Sequence, residues 1–182
     1  MRVSRKQVEE NKQTILTAAG RLFRERGFDA VTVTDIMKSA GLTHGGFYGY
    51  FKSKDDLIAQ TLAELKIEND AAKNDVVAQI ERYLSPEHRD NFASGCPLAA
   101  LAAETIRQSE PARDEMSARL QQQIAQLSEA MDDRDAEASR RAAIGSWSAM
   151  VGALILARMT ADSTFSDEIL GETAAWLAEK QR

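Results

Sequence analysis

Two helix-start signals lie so close together in this chain that they fix how its first part must fold. In "VTVTDIMKSAG", Thr32 and Asp35 form a T-x-x-D capping box, which opens a helix by satisfying its first free N–H groups. Ile36 and Ala40 then share a face, and Gly41 stops the helix. Thr43 is placed to cap a further helix, so only Gly41-Leu42-Thr43 separates the two. Helices joined by so short a turn must cross, which is the sequence form of a helix-turn-helix. Before them, Ile15, Leu16, Ala19, Leu22 and Phe23 recur at helical spacing, with Gly27 in the position after the last turn. Arg21, Arg24 and Arg26 fill the opposite face.

The stretch Thr43 to Phe51, "THGGFYGYF", holds three glycines and four aromatic residues. Each glycine costs a helix about 1 kcal/mol relative to alanine. Phe47 and Phe51, four apart, offset part of that by burial against Leu22, Phe23 and Ile36, at about 1.5–3 kcal/mol each. A strand would be weakened by Gly45-Gly46 and has no partner, so the spacing predicts a helix. His44 and Tyr48 share a second face; Thr43, Gly46 and Tyr50 share a third. Gly45 and Gly46 admit close approach of backbone N–H groups to a phosphate. Tyr48 and Tyr50 offer hydroxyls to phosphate oxygens, Lys52 and Lys54 follow, and His44 is best placed to reach a base edge. The plainer alternative is tight helix packing with half-buried tyrosines.

Ser53 and Asp56 form another capping signal and open a long fourth helix, with Leu57, Leu62, Leu65, Val76, Val77 and Ile80 on its apolar side. The pattern breaks at "SPEHRDNF" and again at "SEPARDEM". Helices are expected from Pro97, over about 113–131, 136–160 and 166–180. The class is all-α. Of the 182 residues 43% are hydrophobic and 28% charged, as in a globular protein. No apolar run approaches 18 residues and the N-terminus is polar, so no membrane span or secretory signal is expected. One cysteine, Cys96, excludes an internal disulfide and points to a reducing, cytoplasmic setting. Residues 1–56 carry ten Lys/Arg against seven Asp/Glu, a balance of +3, while the rest carries thirteen against twenty-one, −8, giving the net −5. The asymmetry suggests parts that face different partners. There is no phosphate-loop pattern, no metal-ligand spacing and no nucleophile–base pair, so an enzyme is not expected; a helical protein-interaction module is the other rival.

The segment "ILTAAGRLFRERGFDAVTVTDIMKSAGLTHGGFYGYFKSKDDLIAQTL" resembles the N-terminal domain of the TetR family of bacterial transcriptional repressors. The resemblance covers about residues 12–62 and rests on "A…LF…GF…T…DI…AG…YGYFKSKDDL". It implies an N-terminal three-helix DNA-binding domain, here 1–55, and a C-terminal helical ligand-binding and dimerisation bundle, here 56–182. It implies Thr34 as a contact on the second helix, Thr43, His44, Gly45, Gly46, Tyr48 and Tyr50 as contacts of a recognition helix, and Lys54 as a phosphate contact. Gly49 departs from the bulkier residue often found there.

In the C-terminal half, Ala142, Gly145, Ala149 and Gly152 make a stripe of small residues, with apolar Val151, Leu154, Ile155, Ile169, Leu170, Trp176 and Leu177 around it. The resemblance implies a homodimer through the last two helices, which on a double-stranded operator sets two recognition helices about 34 Å apart. Intramolecular packing is the alternative. Cys96 precedes Pro97 and a helix start, where a thiolate is favoured; it is either a sensor of a reactive inducer or a buried small hydrophobe. Met116, Met131, Met150 and Met159, with Phe92, Trp147 and Phe165, are either an adaptable lining for a small-molecule inducer or plain core. Glu104 and Arg107 either orient a polar ligand or form a surface pair. No cofactor is implied. Repressor and activator are not separable from sequence.

Overall fold

A computed structural model describes residues 4–65, 75–131 and 135–180. All regular elements among them are helical: α1 Arg5–Arg26, α2 Val33–Ser39, a 3₁₀ helix His44–Gly49, α3 Lys54–Glu64, α4 Val76–Tyr83, α5 Pro86–Asp90, α6 Pro97–Thr105, α7 Glu110–Ala130, α8 Ala136–Met159 and α9 Ser163–Glu179. The continuity expected between α3 and α4 falls on residues 66–74, outside the described residues. Two expected breaks are filled. Pro86 opens α5 from an N-terminal position, with Ser85 accepting from the His88 N–H. The helix expected from about 113 begins at Glu110, because Pro111 sits in its first turn, where a missing N–H costs nothing.

The chain divides into two compact units. One is Met1–Lys66 with Ala100–Ser117, the other Ile67–Ala99 with Ala118–Arg182. The expected division at 55/56 falls inside α3, which instead packs with α1 in the first unit and buries Leu57, Ile58 and Leu62.

In the first unit, α1, α2, the 3₁₀ helix and α3 surround Ile15, Phe23, Phe28, Ile36, Phe47 and Phe51. Phe23 meets Phe28 edge-on at 5.1 Å. The Thr32/Asp35 box is complete. The Asp35 N–H donates to Thr32 Oγ1, and the Asp35 carboxylate accepts from the Thr32 N–H and hydroxyl. Those bonds hold the Asp35 carboxyl below the usual carboxylate range. Ala40 caps α2 and Gly41 follows at φ +71°, the left-handed conformation that suits glycine. Arg21 braces α2 by donating to Ser39 at 2.9 Å.

In the second unit, α8 and α9 pack together over buried Ala143, Trp147, Met150, Leu154, Leu170 and Leu177. Asp162 caps α9, and Ser166 donates to the Ala157 carbonyl at 2.8 Å, fastening the turn between them. By length and composition alone α8 would suffice to cross a membrane. Its buried face is accounted for by packing within this unit.

Candidate nucleic-acid interface

The segment after α2 is a helix, as its spacing predicts, but a 3₁₀ rather than an α-helix. Gly46 N–H donates to Thr43 O at 3.0 Å and Tyr50 N–H to Phe47 O at 2.9 Å, both three residues apart. A run of only six residues, three of them glycine, has little α propensity, and short pieces tolerate the tighter winding. Thr43 precedes it in extended conformation, but its side chain makes no capping bond, contrary to expectation. Phe51 N–H reaches Phe47 O at 3.1 Å, so the two phenylalanines still share a face. Their rings stack at 5.6 Å and are buried.

Anchored from below, the segment keeps its outer side clear. Thr43, His44 and Gly45 are exposed, and Tyr48 is 74% exposed while resting edge-on against Phe47 at 5.2 Å. A Cβ added at Gly45 or Gly49 would meet nothing within 4 Å, and one at Gly46 only ordinary contacts. Packing within the chain therefore does not demand these glycines, which weighs against the tight-packing alternative. Thr34 is exposed on α2.

Tyr50 and Lys54 are half-buried and carry structural bonds. The Tyr50 hydroxyl accepts from Asn11 Nδ2 at 2.9 Å, and Asn11 Oδ1 accepts from Gln7 at 3.1 Å. The Tyr50 O–H proton is left to donate outward. Lys54 Nζ donates to the Phe28 carbonyl at 2.6 Å, using one of its three protons. Asn11 and Gln7 escaped the sequence reading, since amides on a polar helix face carry no periodic signal. At the start of α3, Ser53 accepts from the Asp56 N–H, while the Asp56 carboxylate accepts from the Lys52 N–H, which lowers the Asp56 pKa.

The five residues expected around a ligand are not brought into one unit. Glu104 and Met116 belong to the first; Cys96, Trp147 and Met150 belong to the second. Glu104 Oε2 accepts the Phe28 N–H at 2.6 Å. Met116 and Met150 are buried, whereas Met159 is 75% exposed and Phe92 and Phe165 are half-exposed. Around Cys96 the second unit is tightly organised. The Cys96 N–H donates to His88 Nε2 at 3.1 Å, and His88 Nδ1 lies 2.7 Å from the Tyr83 carbonyl. Because an amide N–H can only donate, Nε2 accepts and Nδ1 carries the proton. Arg158 donates to the carbonyls of His88 and Arg89 at 2.9 Å each and lies over the Phe92 ring. Burial lowers its pKa. Gly95 is required here, since a Cβ would overlap the backbone carbonyl oxygen of Asn91. Burial, with the nearby Cys96 thiol, pushes the Tyr83 phenol well above its ordinary value. The Tyr83 ring lies 5.2 Å from Trp147. A recess of about 190 Å³ beside Arg89 and Arg158 is shallow, and Arg89 within it is already paired with Asp167 and Ser166. Among the described residues no His, Cys, Asp and Glu cluster suits a metal ion.

A tight helical turn with an outward-facing reading segment defines a helix-turn-helix regulator. Comparison with known proteins fixes the family. Residues 15–61 match the model of bacterial regulatory proteins of the TetR family. Residues 74–169, more than half of the chain, match the LmrA/YxaF-like transcriptional regulator C-terminal domain. The chain belongs to the TetR family of transcriptional regulators, a family of regulators rather than enzymes.

Among relatives, HbdR of Aromatoleum sp. (strain CIB), an HTH-type transcriptional regulator, is 34% identical over 84 residues, 46% of this chain and 35% of that protein. AcrR of Shigella flexneri is 34% identical over 77 residues, 38% of this chain and 36% of that protein. The chain thus spans about a third of the length of these two relatives. The repressor NemR of Escherichia coli K12 is 28% identical over 136 residues, 68% of each chain. In structure, the reduced form of E. coli NemR superposes with a TM-score of 0.75 at 21% identity, covering 93% of this chain and 96% of that one. A TetR-family regulator from Agrobacterium tumefaciens gives 0.74 at 20%, covering 92% and 97%. At such identities these likenesses establish the fold alone.

Proposed function

We propose that the chain is a cytoplasmic, ligand-responsive repressor that binds a palindromic double-stranded operator as a homodimer. The carrying observation is the segment Thr43 to Tyr50, held from below by buried Phe47 and Phe51 while Tyr48, His44 and Gly45 stay open. In this reading Tyr48, Tyr50 and Lys54 contact phosphates, His44 and Thr43 approach base edges, Gly45 and Gly46 admit close backbone approach, and Thr34 adds a contact from α2. The repressor sense follows relatives named as repressors.

The homodimer forms through α8 and α9. Supporting it, Ile144, Ile155, Leu156, Met159 and Trp176 are exposed, and a Cβ at Gly145 or Gly152 would meet open space. Leu154, Leu170 and Leu177, expected at the interface, are instead buried within the chain, so the seam is narrower than the sequence suggests. An inducer acts in the second unit, where Cys96, Trp147 and Met150 lie, by favouring a state whose reading segments no longer match the operator. A reactive inducer would modify Cys96. Full release of the Cys96→Ser variant by every thiol-reactive compound that releases the parent would end that part of the reading.

The test is fluorescence anisotropy against duplex from upstream of the chain's own gene, at two salt concentrations, with a scrambled duplex alongside. Submicromolar binding that exceeds the scrambled control and weakens steeply with salt is expected. If neither that duplex nor any fragment recovered by genome-wide selection is preferred, the reading fails.

A further inference from the structure

The Tyr50 hydroxyl is held from the side by an amide relay on α1. Ser4 caps that helix by accepting the Gln7 N–H at 3.1 Å. Gln7 Nε2 donates to Asn11 Oδ1 at 3.1 Å, one helical turn further on. Asn11 Nδ2 donates to the Tyr50 hydroxyl at 2.9 Å, across 39 residues of sequence. All of these groups lie in the first unit. The relay stands ahead of the packed part of α1. The buried residues of that helix begin at Ile15, residues 5–10 are exposed, and Asn11 is half-buried. Apolar packing therefore gives no reason for an asparagine there.

A tyrosine hydroxyl has one proton and rotates to suit its neighbours. Left to itself, the Tyr50 hydroxyl could meet an anion proton-first, which attracts, or lone-pair-first, which repels. Asn11 removes the choice. Its N–H occupies a lone pair of the Tyr50 oxygen, so the proton turns elsewhere, and accepting one bond makes the hydroxyl a stronger donor for the next. The ring itself is placed from the backbone: the Tyr50 N–H donates to the Phe47 carbonyl at 2.9 Å, and the Phe47 ring is buried. The direction of the relay depends on residue 11 being an amide, which donates at one end and accepts at the other. A carboxylate in the same place only accepts, and would take the Tyr50 proton for itself.

We propose that Asn11 is a positioning residue for operator binding: it fixes the Tyr50 hydroxyl as a donor toward a backbone phosphate, with Gln7 setting the direction of the Asn11 amide. The inference rests on the operator-binding reading above and adds to that site two residues of α1 that act through Tyr50.

A double-mutant cycle in the full chain, read by anisotropy on the operator duplex recovered by selection, tests it. Asn11→Asp keeps the shape of the side chain and reverses the bond. In the parent background it should weaken operator binding by a factor of about ten beyond its effect in the Tyr50→Phe background, where no hydroxyl is left to turn. The charge that aspartate brings near the phosphates acts in both backgrounds and cancels in the comparison. Asn11→Ala frees the hydroxyl without adding charge. It should weaken binding several-fold in the parent background and leave the Tyr50→Phe background unchanged, and it decides the matter if the aspartate variant does not fold. A purely structural Asn11 would lower thermal stability and weaken binding equally in both backgrounds; that result overturns the inference, as does operator binding that neither substitution alters. Absence of specific binding by the parent overturns the operator reading itself, and the inference with it.

Discussion

The reading segment and the outer face of α8 both present large side chains to solvent, yet they are built on opposite rules. From His44 to Phe51 the phenylalanine rings point down, and what faces out is the Tyr48 phenol, imidazole and bare backbone. Along α8, Trp147, Met150 and Leu154 point in, but Ile144, Ile155, Leu156 and Met159 point out between small residues. The first surface suits a wet, negatively charged partner, where polar groups need not be stripped of water without replacement. The second suits a dry partner of the same kind as itself. In the function proposed above, one chain thus separates the chemistry of reading from the chemistry of pairing.

Substitutions break that contrast in graded ways. Phe47→Ala removes the anchor of the reading segment and should cost about 3–5 kcal/mol of first-unit stability. Urea unfolding should show it, with operator binding lost and the dimer intact by sedimentation. Ile155→Glu puts an unpaired charge in the pairing face, and association should weaken by on the order of 2 kcal/mol. Sedimentation should then give a folded monomer with weak operator affinity, and persistence of the dimer would place the interface elsewhere. Tyr48→Phe removes only an exposed hydroxyl, so thermal stability should stay unchanged while operator affinity falls by about 1 kcal/mol. A Tyr48→Phe protein that binds as tightly as the parent removes Tyr48 from the contacts.

The smallest effect concerns acid. Asp35 has a carboxyl pKa lowered in the folded state by its bonds to Thr32. Its contribution is therefore present above the unfolded aspartate value, near 3.9, and is lost as pH falls through the lower folded value. In Asp35→Asn, the slope of stability against pH below about 4 should be shallower than in the parent. Equal slopes would show that the box does not contribute there.

Local signals carried much of the first unit. The Thr32/Asp35 box, Gly41 and the Phe47/Phe51 pair each act within four residues, and the structure realises them where the spacing puts them. Winding was less legible, because α and 3₁₀ helices differ by one residue in bond reach and the same aromatic pair satisfies both. The bond that Glu104 makes was hidden for a different reason. Its partner lies 76 residues away and is a backbone N–H, which has no side-chain identity to recognise. Met116 and Trp147 read alike as adaptable apolar residues, and nothing local assigns them to different units. Tyr50 and Lys54 were expected as DNA contacts, and the structure adds that Asn11 and Phe28 claim part of their bonding capacity.

In a cell that holds several regulators of one fold, pairing with a sibling would waste both. The row Ala142, Gly145, Ala149 and Gly152 offers a way to avoid it that needs no charge. In the proposed homodimer, two copies with matching notches approach closely, whereas a sibling that carries one extra methyl at the wrong level stands off along the whole seam. Specificity of that sort is written in missing atoms, and single substitutions are enough to rewrite it.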